Sequence, residues 1–130
     1  MALFADTSAL YALLDRDDQF HQEALRFARS LEGAEFVTHN YVVVETTVLV
    51  QSLLTATHVR RLLRDLLPPI AVEWVSPETH TSAVSALLAS SQPKVPFVDL
   101  VSFAFMRRAL LDTAFTFDRA FERAGFRTVP

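Results

Sequence analysis

Leu3-Phe4-Ala5-Asp6-Thr7-Ser8 is the stretch from which the rest of the chain can be read. Three apolar residues end abruptly in a carboxylate, two hydroxyls follow, and the helical pattern Ala9-Leu10-Tyr11-Ala12-Leu13-Leu14 comes next. A short apolar run bounded by a polar turn has the character of a strand buried on both faces, as in a parallel sheet. Open parallel sheets bind ligands just beyond the carboxyl ends of their strands. Asp6 stands at such an end, and a site there would draw its other residues from the remaining sequence.

Downstream of it, helices and strands alternate. A helix is expected over about 18–32, closed by Gly33, because glycine tolerates the positive φ of the position after a helix. The acidic run Asp15-Arg16-Asp17-Asp18 before it reads as a solvated turn with Asp at a helix start rather than as a metal site. Glu35 to Thr38 is a second strand. The segment 41–54 is rich in β-branched residues, which favours strand, but its length favours helix and Thr38 or Asn40 offers a cap; we read it as helix. An amphipathic helix is expected over 57–67, with Arg60, Arg61 and Arg64 on one side and leucines on the other, stopped by Pro68-Pro69. Ile70 to Val75 makes a third strand, and Ser76-Pro77 opens a helix running to about Ser90. After an irregular segment, 91–96, comes a helix over about 98–111, then a fourth strand, Thr113 to Phe117, which ends at Asp118 much as the first ends at Asp6. Arg119 to Ala124 is a last helix, closed by Gly125, and Phe126 to Val129 is an edge strand. Such alternation implies a parallel α/β sheet with right-handed crossovers.

The composition fits one folded domain over 1–130: 51% of the 130 residues are hydrophobic and 21% charged, which excludes disorder and provides a sizeable core. The net charge of -3 gives no global basic field for nucleic acid. RNA stays open as a substrate, because divalent cations in an acidic site reverse its local charge. Eleven of the twelve basic residues are arginine, suited to bidentate phosphate contacts or, equally, a compositional bias. Cysteine is absent, so disulfides, thiolate metal sites and a cysteine nucleophile are excluded. No apolar run approaches the roughly 18 residues that span a membrane, and no basic, then apolar, leader opens the chain. A soluble cytoplasmic protein without a membrane partner is expected.

Two strand-end aspartates, Asp6 and Asp118, belong at one edge of one sheet. Asp99 sits at the start of a helix near that edge, and Glu45 projects from an apolar helix, where an unpaired carboxylate is costly. Taken singly, Asp6 and Asp118 could cap helices, Asp99 could answer a helix dipole and Glu45 could pair with an arginine. Four carboxylates in one cleft repel one another, and a hard divalent cation is the usual compensation. With His21, His39, His58 and His80 scattered and no cysteine, a zinc site is poorly supported.

These residues fall in an ordered set. Asp6-Thr7-Ser8, then Asn40-Tyr41-Val42-Val43-Val44-Glu45-Thr46, then Val98-Asp99 through Met106-Arg107-Arg108, then Phe115-Thr116-Phe117-Asp118-Arg119-Ala120-Phe121 with Ala124-Gly125-Phe126 resemble a PIN-domain protein of the VapC toxin type, across essentially the whole chain. Leu100, after Asp99, departs from the small residue common there. The resemblance implies a three-layer α/β/α sandwich around a mainly parallel sheet of four to five strands. It also implies a metal-dependent ribonuclease site of Asp6, Glu45, Asp99 and Asp118, which would bind one or two Mg2+ or Mn2+ ions. Thr7, Ser8, Ser102 and Thr116 would be polar supports turned toward ligands or water. A homodimer is expected, and in the toxins of the family a small antitoxin protein lays an apolar segment into a groove near the site.

Arg107, Arg108 and Arg119 flank the acidic cluster in this reading and are phosphate contacts to RNA or, as readily, surface salt bridges. A haloacid-dehalogenase-like phosphatase would need a second aspartate where Ser8 stands, and a receiver-type phosphoacceptor would need a better-placed lysine than Lys94. The serious alternative is a non-toxic PIN-like module that binds RNA or protein with weak or no cleavage, offering its apolar helices to a partner.

Overall fold

The structure, a computed structural model, describes residues 1–91 and 94–130. The irregular segment expected at 91–96 therefore lies outside the described residues at Gln92 and Pro93. Among the described residues five strands form one sheet: β1 (Ala2–Ala5), β2 (Glu35–His39), β3 (Ala71–Glu73), β4 (Thr113–Phe115) and β5 (Arg127–Val129). They pair in the order β3-β2-β1-β4-β5, every pair parallel, so the sheet is wholly rather than mainly parallel. Among the described residues seven α-helices flank the sheet: α1 (Thr7–Leu14), α2 (His21–Ser30), α3 (Asn40–Leu53), α4 (Ala56–Arg61), α5 (Pro77–Ala89), α6 (Phe97–Arg108) and α7 (Ala120–Arg123).

The core divides across the sheet. Ala114 and Phe115 are neighbours in β4, and successive strand residues point to opposite faces. Ala114 joins a large cluster with Phe4, Val37, Val42, Phe105 and Phe121, whereas Phe115 packs on Ala9, Ala12 and Ala24. The alanines of α1 and α2 let the Phe115 ring approach closely. Phe4, at the centre, meets His39, Phe105 and Phe121 at ring separations of 5.5 to 6.1 Å.

Several boundaries differ from expectation, each for a local reason. The cap of α3 is neither Thr38 nor Asn40 but His39, whose side chain accepts the Val42 N–H; Thr38 instead donates to the Ala5 carbonyl at 2.8 Å. Asn40 accepts the Val75 N–H at 2.7 Å, which draws the chain out of β3 and leaves that edge strand three residues long. The helix expected at 57–67 is α4 followed by a single π-helical turn, Leu62–Leu66. Residues five apart point to different sides of an α-helix, but the wider turn buries both Leu62 and Leu67. Pairing of β4 gives out after Thr116, whose N–H still donates to the Val129 carbonyl at 3.2 Å, because the Phe117 N–H goes to Ser8 Oγ, so Asp118 lies beyond the strand end rather than at it.

Candidate active site

The strand order runs β1, β2, β3 outward in one direction and β4, β5 in the other, so it reverses between β1 and β4. A crevice opens at such a switch point, beyond the carboxyl ends of the two strands. Asp6 directly follows β1 and donates its backbone N–H to the Phe115 carbonyl at 3.1 Å. Asp118 follows β4 by three residues. Topology alone therefore brings both aspartates to the crevice.

Asp6 is 3% exposed, and its Oδ2 accepts from Ser8 Oγ at 2.9 Å and Thr116 Oγ1 at 2.8 Å. Each hydroxyl is in turn an acceptor: Phe117 N–H donates to Ser8 Oγ and Asp118 N–H to Thr116 Oγ1, both at 3.0 Å. The network thus fixes the backbone that carries Asp118, whose own Oδ1 accepts the Ala120 N–H at 2.9 Å. Burial pushes the Asp6 carboxyl above the usual range, and the bonds from Thr116, Ser8 and the backbone of Thr7 and Ser8 oppose that rise.

Asp99 stands in the first turn of α6 and is 6% exposed; its Oδ2 is buried with no hydrogen-bond partner. Burial first, then the charges of Asp6 and Asp118, hydrogen bonding to Asp118 and the charge of Glu45, raise its carboxyl to about 8. All three other carboxylates therefore act on Asp99. Glu45 reaches the group from α3, half-buried. Among the described residues no three acidic or histidine side chains stand as a ready-made cage, so the quartet meets electrostatically without closing on one point. An orphaned carboxylate oxygen amid like charges, with only oxygen donors around it, fits a hard divalent cation and not a nitrogen–sulfur metal site.

His39, which the sequence leaves among scattered histidines, lies beneath this cluster and is fully buried. Its Nδ1 accepts the Val42 N–H, so the proton is on Nε2, which donates to Ser102 Oγ at 2.8 Å. Ser102 donates on to the Val98 carbonyl at 3.0 Å. Burial lowers the imidazole to about 4, so it is neutral. Ser102 is accordingly committed to the interior and not turned into the cleft. Thr7 is also buried and accepts from Thr46 Oγ1 at 3.3 Å.

The arginines separate. Arg119, exposed, adjoins Asp118. Arg107 and Arg108 lie eight and nine residues beyond Asp99 on α6, about 12 Å or more along its axis at 1.5 Å per residue. Arg107 is further tied to the Ala124 carbonyl and lies 5.2 Å from the centre of the Phe126 ring. Neither flanks the acidic cluster. Beside Glu45 a groove of about 600 Å3 runs along α3, lined by Asn40, Tyr41, Val44, Val48 and Leu49.

Fold and crevice together define a class. The chain matches the PIN domain over residues 3–127 and belongs to that family. Within it, the 23S rRNA-specific endonuclease VapC20 of Mycobacterium tuberculosis is 31% identical over 130 residues, 95% of each chain. The crystal structure of that protein, a sarcin-ricin loop cleaving toxin, superimposes with a TM-score of 0.87 at 30% identity over 95% of both chains. FitAcB from Neisseria gonorrhoeae, at 18% identity with 100% and 97% of the two chains covered, shares the fold with a TM-score of 0.71. VapBC2 from Rickettsia felis bound to promoter DNA does so at 0.72, with 12% identity over 99% and 98% of the chains.

Proposed function

We propose that this chain is a metal-dependent endoribonuclease, hydrolysing RNA phosphodiester bonds as the toxin of a toxin–antitoxin pair. The observation that carries the reading is Asp99, a buried carboxyl with one unpartnered oxygen, pressed by three other carboxylates at the switch point of the sheet. An rRNA endonuclease that matches it over 95% of both chains supports RNA as the substrate class.

Asp6, Asp99, Asp118 and Glu45 are the residues that would hold Mg2+ or Mn2+. Bound there, the ion supplies Lewis-acid stabilisation of charge on the phosphodiester and acidifies water. Asp99, whose carboxyl burial and its acidic neighbours raise to about 8, would have to be deprotonated to hold the cation, so binding would be coupled to proton release. Ser8 and Thr116 keep Asp6 in one orientation, and the same two hydroxyls set the approach of Asp118. Arg119 is the cation best placed for a phosphate.

The reading extends to a single domain over 1–130 acting in the cytoplasm, to a homodimer, and to a small antitoxin whose apolar segment lies in the groove beside Glu45. Val44 and Val48, 61% and 54% exposed, support a partner on that groove. Among the described residues no helix is long and apolar enough to cross a membrane.

Thermal melting with and without Mn2+, followed by an RNA panel, tests the reading. A ligand at a hundred times its dissociation constant stabilises by about 2.7 kcal/mol, and Asp99→Asn is expected to lose that shift together with all cleavage. RNA binding without cleavage by the wild type would favour the binding module instead.

A further inference from the structure

A notch of about 200 Å3 opens beside Asp118, and one of its walls is aromatic. Phe20 and Phe117 lie almost parallel there, ring centres 4.5 Å apart and planes 8° from each other. Both rings are half-buried. Phe20 is fixed ahead of α2 by its N–H on Asp18 Oδ1 at 2.8 Å. Phe117 is fixed by its N–H on Ser8 Oγ, the hydroxyl that also holds Asp6, and by Phe115 edge-on behind it. The aromatic wall and the acidic cluster therefore share one support. Thr116, Asp118, Arg119 and two further carboxylates, Glu23 and Glu122, line the notch with them, and Glu122 is oriented by the Thr128 hydroxyl at 2.9 Å.

We infer that this notch is a nucleobase subsite. A base adjoining the scissile phosphate packs against the Phe20–Phe117 wall, the Arg119 guanidinium meets the neighbouring phosphate, and Glu122 accepts a hydrogen bond from an amino group of the base. The inference rests on the ribonuclease reading and adds where the substrate is gripped and which bases are preferred. Unpaired RNA bases are bound in this way, by stacking on aromatic side chains, because every base has a π-face. A carboxylate acceptor selects bases that carry an exocyclic amino group, so cytosine, adenine or guanine is favoured over uracil.

The test is steady-state cleavage of single-stranded oligonucleotides with Mn2+ by the full chain, varying the base beside the cut, for wild type, Phe20→Leu, Phe20→Trp and Glu122→Gln. Leucine fills the apolar space but lacks a flat face. Phe20→Leu is expected to raise KM about tenfold, within the range that loss of one stacked base gives, with kcat within about a factor of two. Phe20→Trp restores KM, and Glu122→Gln flattens the base preference. An unchanged KM in Phe20→Leu, or a lowered kcat that tracks a lowered melting temperature and is not restored by tryptophan, overturns the subsite and makes the pair a packing feature. If the wild type cleaves and Phe20→Leu matches it, the subsite alone falls. If the wild type cleaves nothing on the panel while Mn2+ leaves its melting unmoved, the ribonuclease reading falls and takes the subsite with it.

Discussion

His39 Nε2 and Ser102 Oγ are 2.8 Å apart, a buried hydrogen bond that joins the end of β2 to the first turns of α6 across 63 positions of sequence. Ser102 passes the link to the Val98 carbonyl, next to Asp99. His39 is therefore expected to steady the start of the helix that carries Asp99. Ser102→Ala leaves the imidazole N–H buried and unsatisfied, at a cost of about 1–3 kcal/mol. Urea denaturation checks the loss, and an unchanged midpoint would remove His39 from this role.

Asp99→Asn is expected to stabilise the metal-free fold, because asparagine needs neither the buried charge that burial, Asp6, Asp118 and Glu45 oppose nor the proton uptake that keeps Asp99 neutral. The melting temperature without metal rises, and the response to Mn2+ disappears. A mutant that melts lower than wild type in chelator contradicts the account.

The same carboxyl sets a pH dependence whose sign can be worked out. In the folded, metal-free chain Asp99 titrates at about 8, well above its ordinary value, so the folded state binds the extra proton. Its stabilising effect is complete at low pH and is lost as pH rises toward about 8, with a slope of up to about 1.4 kcal/mol per pH unit for one proton. Asp6, also raised, adds in the same direction. His39 has the opposite sign: lowered to about 4, it makes stability fall as pH drops from its ordinary range toward 4. Between about pH 6.5 and 8 only the carboxyl effect remains, so wild type loses stability across that window. Denaturation at a series of pH values with chelator is expected to show a slope above neutrality that Asp99→Asn flattens and saturating Mn2+ abolishes.

Thr116→Val keeps the shape of the side chain and removes both bonds of its hydroxyl, to Asp6 Oδ2 and from Asp118 N–H. Stability is expected to drop by about 1–3 kcal/mol. Cleavage falls further than Tm alone explains, since two of the four carboxylates lose their orientation. Comparing kcat at equal fractions folded separates the two effects.

Leu110 sits in the left-handed region at φ 57 and is 91% exposed, just beyond α6. Leu110 N–H bonds to the Arg107 carbonyl and Leu111 N–H to that of Met106, the pairing of a helix end that glycine ordinarily occupies. Gly125 meets the same demand after α7, at φ 97. Leu110→Gly is expected to stabilise by about 1 kcal/mol and Gly125→Ala to destabilise by a similar amount, both read as shifts in denaturation midpoint.

The sequence discloses the sheet and the carboxylates because both rest on short patterns: apolar runs that stop at Asp6 and near Asp118, and Asp99 in a helical first turn. It discloses less where side chains far apart override local pattern. Phe115-Thr116-Phe117 alternates like a strand, yet Ser8 takes the Phe117 N–H and draws that residue out of the ladder. Trp74 and Val75 continue the pattern of β3, but Asn40 diverts the chain. His39 gave no signal through spacing; only its place directly after a strand and before a helix could have marked it as a cap. The distance of Arg107 and Arg108 from Asp99 follows from helix rise alone.

β1 is made before the other four strands described and lies at the centre of the sheet, bonded on one side to β2 and on the other to β4, about a hundred residues later. During synthesis the β4 side of β1 stays open until residues 113–118 have left the ribosome, an apolar edge without its partner. Thr116 and Asp118 arrive only then, so a nascent chain carries Asp6, Glu45 and Asp99 without the contacts that gather them. A protein read as a cutter of RNA thus emerges unarmed from an RNA machine, and acquires its weapon only when β4 closes on β1.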